Sequence, residues 1–133
     1  MTYLLDTNTC IRYLNGTSVH VRNHLANVKE TEVKLCSVVK AELQFGALKS
    51  ARPQENLLKL SRFLDRFVSL PFDDRAAGPY GEIRLNLSQR GLPIGANDLL
   101  IASIAMANRL TLVTHNTAEF GRVPGLLLVD WER

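Results

Sequence analysis

Tyr3-Leu4-Leu5-Asp6-Thr7-Asn8-Thr9-Cys10-Ile11-Arg12-Tyr13-Leu14 decides how the rest of the chain is read. Tyr3 to Leu5 form an apolar run of the kind buried on both faces of a parallel sheet. The run stops abruptly at Asp6, Thr7, Asn8 and Thr9, all good helix-capping types. Ile11, Tyr13 and Leu14 resume an apolar pattern, which Gly16 ends. The reading is strand, polar turn, helix. In open α/β sheets ligands bind in the crevice at the carboxyl ends of the strands, so Asp6 stands where a carboxylate can do chemistry. An aspartate at that place can equally serve as a helix cap, and this stretch alone does not separate the two roles. The answer turns on whether other acids reach the same edge.

Four further runs read as strands: Lys34 to Val39, Phe67 to Leu70 with Pro71 as its stop, Thr111 to Thr114, and Leu126 to Val129. Helical spacing fills the intervals. Val21, Leu25 and Val28 recur behind a Ser18 cap, and Pro53 opens a helix whose apolar face carries Leu57, Leu60 and Leu64. From Asp73 or Asp74, the residues Ala76, Tyr80, Ile83 and Leu87 form an amphipathic stripe that stops near Gly91. Leu99 to Ala107 is apolar on every side, which marks a buried helix. Five strands alternating with helices of crossover length predict an α/β fold of three layers, with a mainly parallel five-stranded sheet flanked by helices. We expect a single domain over residues 1–133.

Composition narrows the possibilities. The chain has 46% hydrophobic and 22% charged residues, ordinary for a folded domain able to bury a core without disulfides. Cys10 and Cys36 stand in no CxxC pair, which argues against a zinc site. No apolar run approaches the roughly 20 residues of a bilayer span, and no secretory signal is evident at the amino terminus, so a cytoplasmic location is expected. Sixteen Lys and Arg against thirteen Asp and Glu give a charge of +3, which permits an acidic partner such as RNA without identifying one.

The acids carry more information. Glu42 follows the second predicted strand, Asp98 opens the buried helix, and Asn116 and Glu119 lie in the polar turn after the fourth strand. Each has an innocent explanation as a cap or as an acid placed well against a helix dipole. If the strands are parallel, however, all of them arrive at one edge beside Asp6, and gathered carboxylates repel unless a cation joins them. Ligation by oxygen alone suits Mg²⁺, or Mn²⁺, better than zinc. His20 and His24 have a spacing that can bind metal but no third ligand nearby, and read as solvent-side residues of a helix.

Four blocks together resemble the signature blocks of PIN-domain ribonucleases, in particular the VapC toxins of bacterial VapBC modules. They are Leu4-Leu5-Asp6-Thr7-Asn8, Ser37 to Gly46, Pro93 to Ala102 and Leu112 to Phe120. The resemblance implies that Asp6 and Asp98 are the main magnesium ligands and Glu42 the third acid. In place of an acid directly after the fourth strand this chain has Asn116, with Glu119 one helical turn on to supply the charge. It further implies a magnesium-dependent endoribonuclease toxin that cuts RNA needed for translation, in a tRNA or rRNA loop. Such a toxin is neutralised by a VapB-like antitoxin and is a homodimer, able to form a hetero-oligomer with that antitoxin.

Two other functions fit parts of the pattern. Asp6 at the end of a first strand also suits the nucleophile of a magnesium-dependent phosphohydrolase, although Asn8 stands where haloacid-dehalogenase-like phosphatases have a second aspartate. A catalytically inert PIN-like module that only binds RNA or a partner is the other, and the intact Asp6, Glu42 and Asp98 argue against it.

Overall fold

A computed structural model describes residues 1–133. In chain order the elements are β1 (Tyr3–Leu5), α1 (Thr7–Asn15), α2 (Val19–Ala26), β2 (Val33–Cys36), α3 (Ser37–Leu48) and α4 (Pro53–Leu64). Then come β3 (Val68–Leu70), α5 (Asp74–Gln89), α6 (Ala96–Ala107), β4 (Thr111–Val113), α7 (Thr117–Phe120) and β5 (Leu128–Val129). The five strands form one sheet in the order β3-β2-β1-β4-β5, and every neighbouring pair is parallel. This is the five-stranded parallel sheet expected from the alternation of elements.

The order places the first strand at the centre. From β1 the chain builds outward through β2 and β3, then crosses back to add β4 and β5 on the other side. The switch of direction therefore falls between β1 and β4, where Tyr3 pairs with Thr111 and Leu5 with Val113. At such a point the connections leave in opposite directions and open a crevice at the carboxyl ends of the strands.

Leu4, Leu5, Val33, Leu35, Leu112 and Val113 are buried from the centre of the sheet, as near-continuous apolar strands require. Helix α6 buries Leu99, Ile101, Ala102, Ile104 and Ala105, and its Ser103 hydroxyl donates to the Leu99 carbonyl at 2.7 Å. That bond removes the cost of burying the hydroxyl. The α2 helix starts where expected, with the Ser18 hydroxyl accepting from Val21 N–H. Gly16 ends α1 at φ 65°, a left-handed conformation open to glycine at little cost. No helix is long and apolar enough to cross a membrane.

Several boundaries differ from the sequence reading, and β3 starts at Val68 rather than Phe67. Strand β2 ends at Cys36, and Val38 and Val39 belong to the first turn of α3. Their β-branched side chains suggested strand, but burial of Val39 against the core decides for helix. Glu42 consequently sits in the second turn of α3, beyond the part of a helix where an acid gains much from the dipole. Strand β5 is only Leu128–Val129, because Gly125 turns the chain at φ 79° and Leu127 faces solvent. Thr114 lies just past β4, fully buried, with its hydroxyl free of the strand ladder.

Helix α7 ends against its own first turn. A Cβ on Gly121 would stand 2.5 Å from the Thr117 carbonyl oxygen, nearer than real side chains come. Gly121→Ala is therefore expected to destabilise the protein by about 1–3 kcal/mol through overpacking. Chemical denaturation of the two proteins measures this, and equal midpoints would show that the turn adjusts freely.

Candidate metal centre

Asp6, Glu42, Asp98 and Asn116 come from four separated stretches and line one small pocket, together with Thr7, Asn8 and Phe120. Asp6 follows β1, Glu42 rides on α3 after β2, Asp98 lies in the first turn of α6, and Asn116 follows β4. The convergence predicted from parallel strands is present. Glu119 borders the pocket from α7 rather than lining it.

Asp6 is a helix cap that also faces the pocket. One carboxylate oxygen accepts from Thr9 N–H at 2.8 Å and caps α1, while the group as a whole faces the pocket. Its side chain is nearly inaccessible, and burial raises its pKa, partly offset by hydrogen bonds from the Thr114 hydroxyl and the Thr9 N–H. So confined a carboxylate suits a fixed ligand better than a nucleophile that must reach an incoming phosphate.

Glu42 is held by two donors, the Thr7 hydroxyl at 2.5 Å and the Asn97 side-chain amide at 3.3 Å. Asp98 is pushed up to about 6, first by burial and then by the negative charges of Glu119, Glu42 and Asp6. Asp98 and Glu119 stand side by side and shift one another in opposite directions, Asp98 upward and Glu119 downward. Glu119 is the more acidic partner because Gly95 N–H donates to it at 2.8 Å and the Asn116 amide at 2.6 Å. Asn116 thus orients Glu119, and Glu119 in turn ties α7 to the start of α6.

No lysine or arginine lines this pocket, so nothing in it balances the carboxylates. As they stand, no three acidic, histidine or cysteine side chains are close enough together to grip an ion at once. Thr7 and Asn97 hold Glu42 by their own hydrogen bonds, and Glu119 is held beside Asp98 by Gly95 N–H and the Asn116 amide. The donor set fits a hard divalent cation in its chemistry, being oxygen throughout.

His115 does not join the acids. Its Nδ1 lies 2.9 Å from the Asp130 carboxylate, on the side of the turn where Glu132 pairs with Arg12 at 3.6 Å. His24 stacks on Trp131 at 5.5 Å and 8°, and its Nε2 meets the Arg133 carbonyl, so it is a packing residue; His20 is exposed. The supporting groups Thr7, Thr9, Thr114, Asn97 and the Gly95 N–H were not singled out in the sequence. Thr7 and Thr9 stood in the capping run, but nothing local tied Thr7 to Glu42, which is 35 positions away.

Comparison with known proteins adds a family. The PIN domain model matches residues 3–126. Ribonuclease VapC2 of Rickettsia felis is 43% identical over 134 residues, covering 100% of both chains. The tRNA(fMet)-specific endonuclease VapC of Salmonella typhimurium is 37% identical over 129 residues, 97% of each chain. Among solved structures, VapBC2 from Rickettsia felis bound to a DNA fragment from the promoter superposes with a TM-score of 0.92. The superposition covers 98% of this chain and 99% of that one at 43% identity. DNA-bound VapBC from Salmonella typhimurium gives the same TM-score at 37% identity, over 98% of each chain.

Proposed function

The chain belongs to the PIN-domain family, among the VapC ribonucleases, and on that footing we propose that it is a magnesium-dependent endoribonuclease toxin formed by a single domain over residues 1–133. It is a nuclease that cuts RNA needed for translation, works as a homodimer in the cytoplasm and is neutralised by a VapB-like antitoxin. The observation that carries this reading is the pocket at the β1–β4 switch. It gathers Asp6, Glu42 and Asp98, with Glu119 behind them, and provides no cation of its own.

In this reading Asp6, Asp98 and Glu42 hold Mg²⁺, with Mn²⁺ as a substitute. When bound, such an ion polarises the phosphodiester, acidifies a water and neutralises the leaving oxygen. The protein's own groups do the positioning. Thr114 and Thr9 fix Asp6, Thr7 and Asn97 hold Glu42 to the rim, and Glu119 stands beside Asp98 as a further negative charge at the pocket's edge. Asn116, in the place of a fourth acid, holds Glu119 by its amide. Partners of metal ligands that set their orientation commonly affect metal affinity by about 10–100-fold.

Transfer RNA is the substrate to test first, because the Salmonella relative is a tRNA(fMet)-specific endonuclease. Sequencing of new RNA 5′ ends after brief expression should show a few sites concentrated in one RNA class, initiator tRNA, and none with Asp6→Asn. Ends scattered across messenger RNA would refute the narrow target, and no new ends would refute the nuclease reading. For the antitoxin, we expect a basic segment that competes with Mg²⁺ for the pocket through an arginine facing Asp6, Glu42 and Asp98. Calorimetric Mg²⁺ affinity that is the same with and without the antitoxin would contradict that mode of inhibition.

A further inference from the structure

Besides its carboxylates, which accept, the acidic pocket is lined by three polar side chains that can donate a hydrogen bond: Thr7, Asn8 and Asn116. Two of them are engaged. The Thr7 hydroxyl gives its one hydrogen to Glu42 at 2.5 Å, and the Asn116 amide is tied to Glu119 at 2.6 Å. Asn8 differs. Its side chain is exposed on the pocket wall and makes no hydrogen bond within the protein.

The backbone that carries Asn8 is anchored on both sides. Asp6 accepts from Thr9 N–H at 2.8 Å, Cys10 N–H donates to the Asp6 carbonyl at 3.2 Å, and the Thr9 hydroxyl donates to the Val113 carbonyl at 3.3 Å. The first turn of α1 is thereby fixed to β4. An exposed asparagine on a helix is ordinary in itself; what sets this one apart is its company. A phosphodiester entering the pocket meets carboxylates on the other walls and no lysine or arginine. One non-bridging oxygen can turn to a cation held among the carboxylates, while the other still needs a donor. A lysine or arginine in that place would pair with the carboxylates and compete for them with the metal. A neutral amide donates without doing so.

We infer that Asn8 is a catalytic residue, whose side-chain amide donates to the non-bridging oxygen of the scissile phosphate that turns away from the metal. The inference rests on the ribonuclease reading and adds to it a contact with the reacting phosphate. Because the turn that carries Asn8 is already fixed by Asp6 and Thr9, the donor needs no reorganisation at the moment of reaction. Loss of one such prearranged donor commonly lowers kcat by about 10²–10³.

The test uses the whole protein with Mg²⁺ and an RNA oligonucleotide spanning the bond mapped by 5′-end sequencing, made also with each single phosphorothioate diastereomer at that bond. Alanine suits an exposed helical position, so Asn8→Ala should melt with the wild type and bind Mg²⁺ with the same calorimetric affinity. Its single-turnover rate should fall by about a hundredfold or more. Asn8→Asp should fall at least as far, since a carboxylate accepts where donation is needed. Sulfur substitution gives the deciding readout. In the wild type one diastereomer should be slowed and recover in Mn²⁺, and the other should be slowed without recovery; in Asn8→Ala only the second penalty should vanish. A second penalty that persists in Asn8→Ala overturns the inference, and so does full turnover by that variant. Asn8→Asp that stays active and binds Mg²⁺ more tightly also overturns it, by assigning the position to the metal. Cleavage of the unmodified RNA by the wild type keeps the two levels apart. If the wild type cleaves while the Asn8 results fail, the contact alone is wrong; if it cleaves no RNA, both readings fall.

Discussion

Asp98→Asn is expected to lower RNA turnover by roughly a thousandfold, the scale seen when a charge-stabilising group leaves an active site, while the metal-free protein stays folded. The stability half of this statement follows from the sign of the Asp98 shift. Its pKa is raised from 3.8 to about 6, so the folded chain holds the proton more tightly than the unfolded chain. The stabilisation from that proton is complete below about pH 3.8 and is lost as pH rises through about 6. Near pH 7 the wild type therefore bears a repulsion that asparagine lacks, and Asp98→Asn should melt no lower and somewhat higher in EDTA. Toward pH 4 the two should converge. Asp98 is half-exposed, so solvent keeps the difference small. Asp6→Asn should lose turnover to a similar degree and keep the α1 cap, because asparagine caps as well as aspartate. Single-turnover assays and melts across pH decide it. A large loss of metal-free stability in both variants at pH 7 would mean that these carboxylates serve the fold instead.

Removal of divalent ions should bring cleavage to background, with recovery in Mg²⁺ or Mn²⁺ and weaker recovery in Ca²⁺, whose larger and looser coordination shell orients ligands less strictly. The ends of the products carry the mechanistic information. Attack by water in line with the leaving oxygen leaves a 5′-phosphate and a 3′-hydroxyl; attack by the neighbouring 2′-hydroxyl leaves a cyclic phosphate. The second route commonly needs side-chain acids and bases such as a pair of histidines. Here His24 is stacked on Trp131 and His115 is bonded to Asp130, while His20 is exposed on α2, so no pair faces the pocket. Ligation-based mapping should find 5′-phosphates. Cyclic ends, or full activity of purified protein in EDTA, would refute water as the nucleophile even for an active toxin.

Sequence showed the scaffold of the site better than its fastenings. The abrupt change from Tyr3-Leu4-Leu5 to four capping residues located both β1 and Asp6, and the all-apolar run after Asp98 located a helix that could only be buried. Parallel strands then forced the acids to one edge. Glu42 was placed on the right face for partly the wrong reason, because Val38 and Val39 look like strand until their packing in α3 is known. The contacts that hold the acids could not be read at all. Thr114 on Asp6, Asn97 on Glu42 and Gly95 N–H on Glu119 join stretches whose separation carries no periodic signal. The basic residues show the same limit, since which of them are free depends on partners such as Glu132 and Tyr80 brought from elsewhere.

The placement of β1 between β2 and β4 also governs when the pocket comes into being. The first strand made is completed at its second edge only by residues 111–113, and Thr9 bonds to Val113 across 104 positions. Such distant pairings are made late and slowly. A nascent chain that has reached α4 carries Asp6 and Glu42 but lacks Asp98, Thr114, Asn116 and Glu119, so half of the pocket does not yet exist. The ribosome that makes this protein is consequently finishing the last strands before any complete carboxylate site stands beside its own RNA.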